Sequence, residues 1–341
     1  MADISDVPVS VISLAAIRRR RTLLAPHVLV TPTVEVDSAR LLPRLGGGSL
    51  FLKLELLQRT GTFKARGALS RVLAIAENQR AAGITAASAG NHAIAAAWAA
   101  RHIGVSAKVV MMASANPFRV ARARMLGADV VIIKGAAEAM AEAARLERDE
   151  GRVFVHPFEG PYTSLGAAGV GLEFMEQVPD LEAVVVAIGG GGLISGVAAA
   201  IKQINPACKI YGVEPEGADS MSRSLTAGRP VAIEAIRTLA DSLGAPSAMP
   251  FSFALCQAYL DDVVRVNDDQ ICAGVVVFQE ECKLAVEPAA GAAMAAVFGP
   301  LRQRLLGKRV GIVVCGANID AESYGSVLAR GQSRVAELLG D

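Results

Sequence analysis

Residues 183–201, AVVVAIGGGGLISGVAAAI, limit the folds open to this chain more than any other stretch. They carry no charge and nearly match the length that spans a bilayer. Four consecutive glycines at the centre argue against one continuous helix, because glycine gives up the most backbone freedom on entering one. The stretch divides instead into a strand (183–188), a glycine turn (189–192) and a helix (193–201). A strand turning tightly into a helix is the building unit of a parallel sheet, so no membrane span is expected.

The same unit recurs along the chain. Short β-branched runs at 108–111, 129–133, 153–156, 209–213, 263–266 and 309–314 read as further strands. Segments at 91–101, 117–126, 136–149, 193–204, 268–284 and 291–306 read as helices. Strands that are apolar on both faces and alternate with helices imply an α/β fold with mostly parallel sheets. The 341 residues, 52% of them hydrophobic, provide material for two domains.

Lys and Arg total 34 against 33 acidic residues, a formal charge of +1. That balance offers no bulk attraction to nucleic acid or an anionic membrane. The basic cluster Arg18, Arg19, Arg20 and Arg21 follows the apolar N-terminal stretch, the reverse of an export signal, and reads as the solvated end of a helix. The five cysteines form no CxxC pair, so reduced thiols in the cytoplasm are expected rather than zinc ligands or a disulfide framework.

Four local patterns could carry chemistry. In TGTFKARG, Lys64 follows Phe63 in a glycine-containing turn that opens into a helix. A partly desolvated lysine there would have a lowered pKa and a free amine for Schiff-base chemistry; alone, it reads far more readily as a solvated helix-start lysine. In SAGNH, Ser88, Ala89, Gly90, Asn91 and His92 stand at a helix start, where backbone N–H groups make an anion cradle or an ordinary cap. Gly189, Gly190, Gly191 and Gly192 join a strand to a helix and exceed what a tight turn needs, which favours phosphate binding. They match neither the GxGxxG fingerprint nor a P-loop. Cys315, in CGAN, lies at the C-terminal end of a strand, where open α/β sheets bind ligands, although a buried apolar thiol is the commoner reading.

Taken in order, these patterns resemble the fold-type II pyridoxal-phosphate (PLP) enzymes, the tryptophan synthase β-like fold, and within them the threonine/serine dehydratase and serine racemase group. The resemblance runs from the VTPT stretch at Val30 to Asn318. It implies two lobes, each with a mostly parallel sheet flanked by helices: a small lobe at 84–156 inserted into a large PLP-binding lobe formed by 1–83 and 157–341. It also implies that Lys64 carries the cofactor, Phe63 lies against its ring, Asn91 bonds its 3′-oxygen and Gly189 to Gly192 hold its phosphate. Cys315 would face the pyridine nitrogen, and the turn from Ser88 through Ala89, Gly90 and Asn91 to His92 would grip the substrate carboxylate, with His92 a structural member. The implied reaction is dehydration of a β-hydroxy amino acid such as L-threonine or L-serine to a 2-oxo acid and ammonia.

A neutral thiol cannot hold the ring nitrogen protonated as an aspartate would, which suits elimination over transamination. Ala89 stands where the racemase branch places a second serine, which favours a dehydratase over a racemase. The chain reads Gly166, Ala167, Ala168, Gly169 for a GQGT-like stretch, and Ala240, Asp241, Ser242 for ADG. Both departures bear on substrate choice, so 3-hydroxyaspartate or a hydroxyectoine-derived compound stands beside threonine. A β-replacement enzyme on the same fold is the nearer rival, and a non-catalytic binding protein the more distant one.

Some relatives hold a divalent cation, and the matching residues here are Glu214, Ala218 and Ser220, with Asp219 one place early. Oxygen ligands would select Mg²⁺ or Ca²⁺. Glu287 also matches a family position near the cofactor. With the last residue at Asp341, the regulatory domain of biosynthetic relatives and its feedback control are not expected, and a homodimer is the family expectation.

Overall fold

The computed structural model describes residues 7–340; Met1 to Asp6 and Asp341, which the expected large lobe includes, lie outside them. Ten strands build two sheets: β1 (Thr33–Glu35), β2 (Ser49–Lys53), β3 (Ile84–Ala87), β4 (Ala107–Met112), β5 (Asp129–Ile133), β6 (Val153–Phe154), β7 (Ala183–Ala187), β8 (Lys209–Pro215), β9 (Asp262–Val266) and β10 (Arg309–Val313). The larger sheet has the order β1-β2-β10-β7-β8-β9. Only β1 runs antiparallel in it. The smaller, β5-β4-β3-β6, is parallel throughout.

The helices that matter to the site are α1 (Leu14–Leu24), α2 (Lys64–Val72), α3 (Asn91–Ile103), α4 (Pro117–Met125), α5 (Ala136–Glu150), α6 (Pro161–Gln177), α7 (Gly192–Ile204) and α8 (Ser220–Ala227), followed by α9 (Pro250–Tyr259), α10 (Asp268–Glu281), α11 (Pro288–Phe298) and α12 (Arg302–Leu305). Both faces of β7, Ala183 to Ala187, are buried, which is why its sequence is continuously apolar rather than alternating. The two largest apolar cores follow the two sheets. The one beneath the smaller sheet also takes Leu24 and Val28 and, from α2 and the turn after it, Ala68, Leu69, Val72 and Ile75. The start of α2 therefore stands where both sheets are within reach.

Several local expectations are corrected. The helix expected at 291–306 begins at Pro288 and breaks after Phe298, where Pro300 has no N–H to continue the ladder. The strand at 153–156 keeps only Val153 and Phe154, and the helix at 268–284 stops at Glu281, just before the left-handed Lys283. Arg18 to Arg21 lie on α1 as expected, yet not all are solvated: Arg20 donates to Ser70 O at 3.2 Å, and its guanidinium lies 5.0 Å from the Tyr162 ring centre.

Candidate active site

Phe63 and Lys64 sit where the chain leaves β2 and enters α2. The Phe63 amide donates to Cys315 O at 3.1 Å, so the lysine turn is stitched to the C-terminal end of β10. Lys64 N is capped by Thr62 Oγ1 at 3.0 Å. The Lys64 amine donates to Pro157 O at 2.6 Å and lies 5.1 Å from the Phe63 ring centre. Burial lowers its pKa to about 8, partly offset by Glu287 and Cys315. Behind it is a cavity of about 10 Å³, enough for one water, lined in part by Gly67, His92, Thr163 and Ala167.

Pro157 leads to the glycine loop. His156 Nδ1 accepts from the amides of Phe158 (3.2 Å) and Glu159 (2.9 Å) and so folds this segment tightly. The Phe158 ring then lies on the loop: a Cβ at Gly190 would come within 2.2 Å of it, and one at Gly192 within 2.6 Å of Phe158 O. Gly191 has φ +90°, a conformation that side chains disfavour. Gly190 and Gly192 are thus required by contact and Gly191 by torsion, and the first-turn amides of α7 beyond them have no intrahelical acceptor.

On the far side, a Cβ at Gly189 would approach Ser242 O at 3.1 Å. Ser242 Oγ is 3.5 Å from Glu287 Oε1. Asn91 Nδ2 donates to both Glu287 oxygens, at 2.8 and 2.9 Å, and Glu287 N donates to Gly316 O at 3.1 Å. The circuit closes through Cys315 back to Phe63. Burial pushes the Glu287 carboxyl up, with Asn91 and Arg119 opposing. It also pushes the Cys315 thiol well up, so the sulfur is neutral.

The 88–92 turn connects β3 to α3. Gly90 N donates to Ser88 Oγ at 3.1 Å. His92 Nε2 donates to Val155 O at 2.7 Å, and burial with the nearby Lys64 lowers its pKa to about 3. A neutral histidine spent on a main-chain carbonyl is a structural member. Arg119, reaching from α4, lies over the turn: its Nη1 would be 3.2 Å from a Cβ at Gly90. That guanidinium pairs with Asp241 and donates twice to Asn318 O, at 3.1 and 3.2 Å.

Comparison with known proteins fits this circuit. The sequence model described as "pyridoxal-phosphate dependent enzyme" matches residues 24–316. The chain belongs to that family. The chain is 46% identical to phenylserine dehydratase of Ralstonia pickettii over 93% of its length and 97% of that protein. It is 40% identical to L-threonine ammonia-lyase of Thermotoga maritima, over 85% of this chain and 72% of that one. Among solved structures, maize serine racemase superposes with a TM-score of 0.87 at 32% identity, covering 94% of this chain and 98% of that one.

The residues present suit the family's cofactor. A desolvated amine, a side-chain-free glycine turn at a helix start, a buried carboxamide and a neutral thiol converge from separate elements. All the expected residues (Phe63, Lys64, Ser88 to His92, Gly189 to Gly192 and Cys315) lie on or beside the circuit. Sequence reasoning missed His156, Pro157, Phe158 and Arg119, which carry no motif of their own. The HPFE stretch after β6 was the available signal.

The loop expected to take Mg²⁺ or Ca²⁺ is differently used. Both Glu214 oxygens accept from the start of α8, from Met221 N (2.9 Å) and Ser222 N (2.7 Å). Asp219 accepts from Arg223 and Arg265, and Ser220 Oγ is buried without a partner. Ala218 is buried between them. With its inward carboxylate spent on a helix start, the loop is a poor cage for a hard cation. Nor does any group of three or more His, Cys, Asp or Glu suited to a metal occur among the described residues. The Gly166–Gly169 stretch proves to be a packing surface: a Cβ at Gly166 would meet Arg66 O at 2.5 Å, which lets α6 cross α2 closely.

Proposed function

We propose that this chain is a PLP-dependent ammonia-lyase that dehydrates a neutral β-hydroxy amino acid, L-threonine, L-serine or phenylserine, to a 2-oxo acid and ammonium. The observation that carries the reading is the closed circuit from Lys64 through Pro157, the glycine loop, Glu287 and Cys315 back to Phe63. When bound, PLP supplies an aldehyde that takes up amino groups and a ring that draws electrons from Cα.

In this reading the chain's own groups act as follows. Lys64 holds the cofactor and, as an amine with its pKa near 8, takes the Cα proton; Pro157 O orients it. Phe63 packs on the ring, Asn91 donates to its 3′-oxygen, and the amides of Gly189 to Gly192 hold the phosphate. Cys315 leaves the ring nitrogen without an anionic partner. Ser88, Ala89, Gly90 and Asn91 bind the substrate carboxylate, and Ala89 offers no acid–base group to the opposite face of Cα. Arg119 is already paired with Asp241, so a second substrate carboxylate would meet no free charge from it.

Two lobes are proposed, 84–156 and the remainder, with a homodimer in the cytoplasm as the assembly, checked by the solution mass of the purified protein. Five free cysteines support a reducing compartment, and no described helix is long and apolar enough to cross a membrane.

The test is 2-oxo acid release from L-serine, L-threonine, phenylserine and 3-hydroxyaspartate by PLP-loaded protein. Turnover of a neutral substrate above 3-hydroxyaspartate is expected. No turnover of any member would defeat the reading.

A further inference from the structure

Asn318 connects the two ends of the site. It is 2% exposed. Its Nδ2 donates to Thr60 O at 2.8 Å and to Asn91 Oδ1 at 2.9 Å. Its Oδ1 accepts from Arg122 Nη1 at 3.2 Å, and its main-chain carbonyl takes both bonds from Arg119.

These contacts fix the carboxamides by elimination. A main-chain carbonyl can only accept and a guanidinium can only donate, so Thr60 O and Arg122 together set which end of Asn318 is nitrogen. Asn318 Nδ2 then faces Asn91, which must answer with oxygen. That leaves Asn91 Nδ2 pointing at Glu287, where it makes its two bonds. Without Asn318, the buried carboxyl of Glu287 would be the only partner choosing between the two orientations of Asn91. In its protonated form it can donate as well as accept, and the choice would lapse.

The fold reinforces the arrangement. Gly61 has φ +74°, and a Cβ there would fall 2.7 Å from Asn318 Oδ1, so the turn before Lys64 is shaped around this side chain. Arg119 and Arg122 both come from α4, packed beside the smaller sheet, whereas Asn318 follows β10 of the larger one. Asn116 at the start of α4 adds a bond to Asp320 at 2.6 Å. Every bond that α4 makes to the 318–320 segment therefore depends on the two sheets being docked.

We propose that Asn318 is a positioning residue that locks the Asn91 carboxamide with its N–H edge toward Glu287 and the cofactor 3′-oxygen, and that the α4 arginines tie this lock to the docking of the two sheets. The inference rests on the reading that PLP binds with its 3′-oxygen at Asn91.

The test uses holoenzyme and two readouts besides turnover: the pH titration of the bound cofactor's visible absorbance, and cofactor affinity by fluorescence. Asn318→Asp and Asn318→Ala should move the titration midpoint by about one unit and weaken PLP by about tenfold, the loss expected for a hydrogen bond to a charged group. Kcat should fall more than KM rises. In an Asn91→Ala background, Asn318→Ala should leave the midpoint where Asn91→Ala put it, because Asn318 acts through Asn91. Arg122→Ala, at an exposed position that tolerates truncation, should move it in the same direction by less. Equal shifts in both backgrounds, or a lower Tm with an unmoved midpoint in the Asn318 and Arg122 variants, would overturn the proposal. Wild-type protein without any cofactor band would overturn the PLP reading and this role together.

Discussion

At the scale of single residues, Lys64 shows how burial changes the acid–base behaviour of an ordinary side chain. A solvated lysine is almost wholly protonated at neutral pH, whereas burial lowers this one to about 8. The neutral amine is therefore half the population at about pH 8 and changes little above about pH 9. Cofactor-free protein should take up PLP at a rate that is half-maximal near pH 8 and levels off above about pH 9, followed by stopped-flow absorbance. A rate still climbing toward pH 10 would mean the amine is solvated. The glycines were legible because four in a row are unusual, and Lys64 because its motif, in order with the others, resembles a family's. Arg119 was not, since an arginine in a helix gives no sign that Asp241, 122 positions away, will meet it.

At the scale of elements, the glycine turn behaves as a contact surface, and the two kinds of contact separate cleanly. A Cβ at Gly190 collides with the Phe158 ring, but a Cβ at Gly192 collides with the Phe158 main chain. Gly190→Ala and Gly192→Ala should each cost about 1–3 kcal/mol of stability, the usual range for overpacking. Adding Phe158→Ala should restore Gly190→Ala alone. Thermal unfolding of the four variants decides this, and equal rescue of both would contradict the geometry. Most strands were legible because β-branched runs bounded by glycine leave little choice. The short β1 and β2 were not separated from their loops, and α6 carries three glycines that obscure its period.

At the scale of the whole molecule, a buried ion cluster joins segments remote in sequence. Arg66 pairs with Glu55 at 2.8 Å and with Glu173 at 2.7 Å, and Lys53 with Glu173 at 2.9 Å. Thr31 in the VTPT stretch donates to Glu55 at 2.6 Å. The two cations and two anions balance, so the cluster tolerates burial only while complete. Arg66→Met should leave two carboxylates facing one lysine and cost about 3–5 kcal/mol by denaturant unfolding. Because Arg66 is two residues from Lys64 on α2, a surviving variant should also load PLP more weakly. A loss below about 1 kcal/mol, the range of surface pairs, would show the cluster to be solvated.

Through the resemblance its motifs carry, the sequence pointed to Lys64 and to PLP; by itself it determined the alternation of strands and helices and the glycine turn. These depend on neighbours within a few residues, where propensity, torsion and apolar period act directly. Only the tertiary structure decided which polar groups face one another. Asn91 and Asn318 stand 227 residues apart, and Asn91 and Glu287 stand 196 apart. Their pairing follows from how two sheets dock, and docking is set by the summed burial of two apolar cores rather than by any local signal.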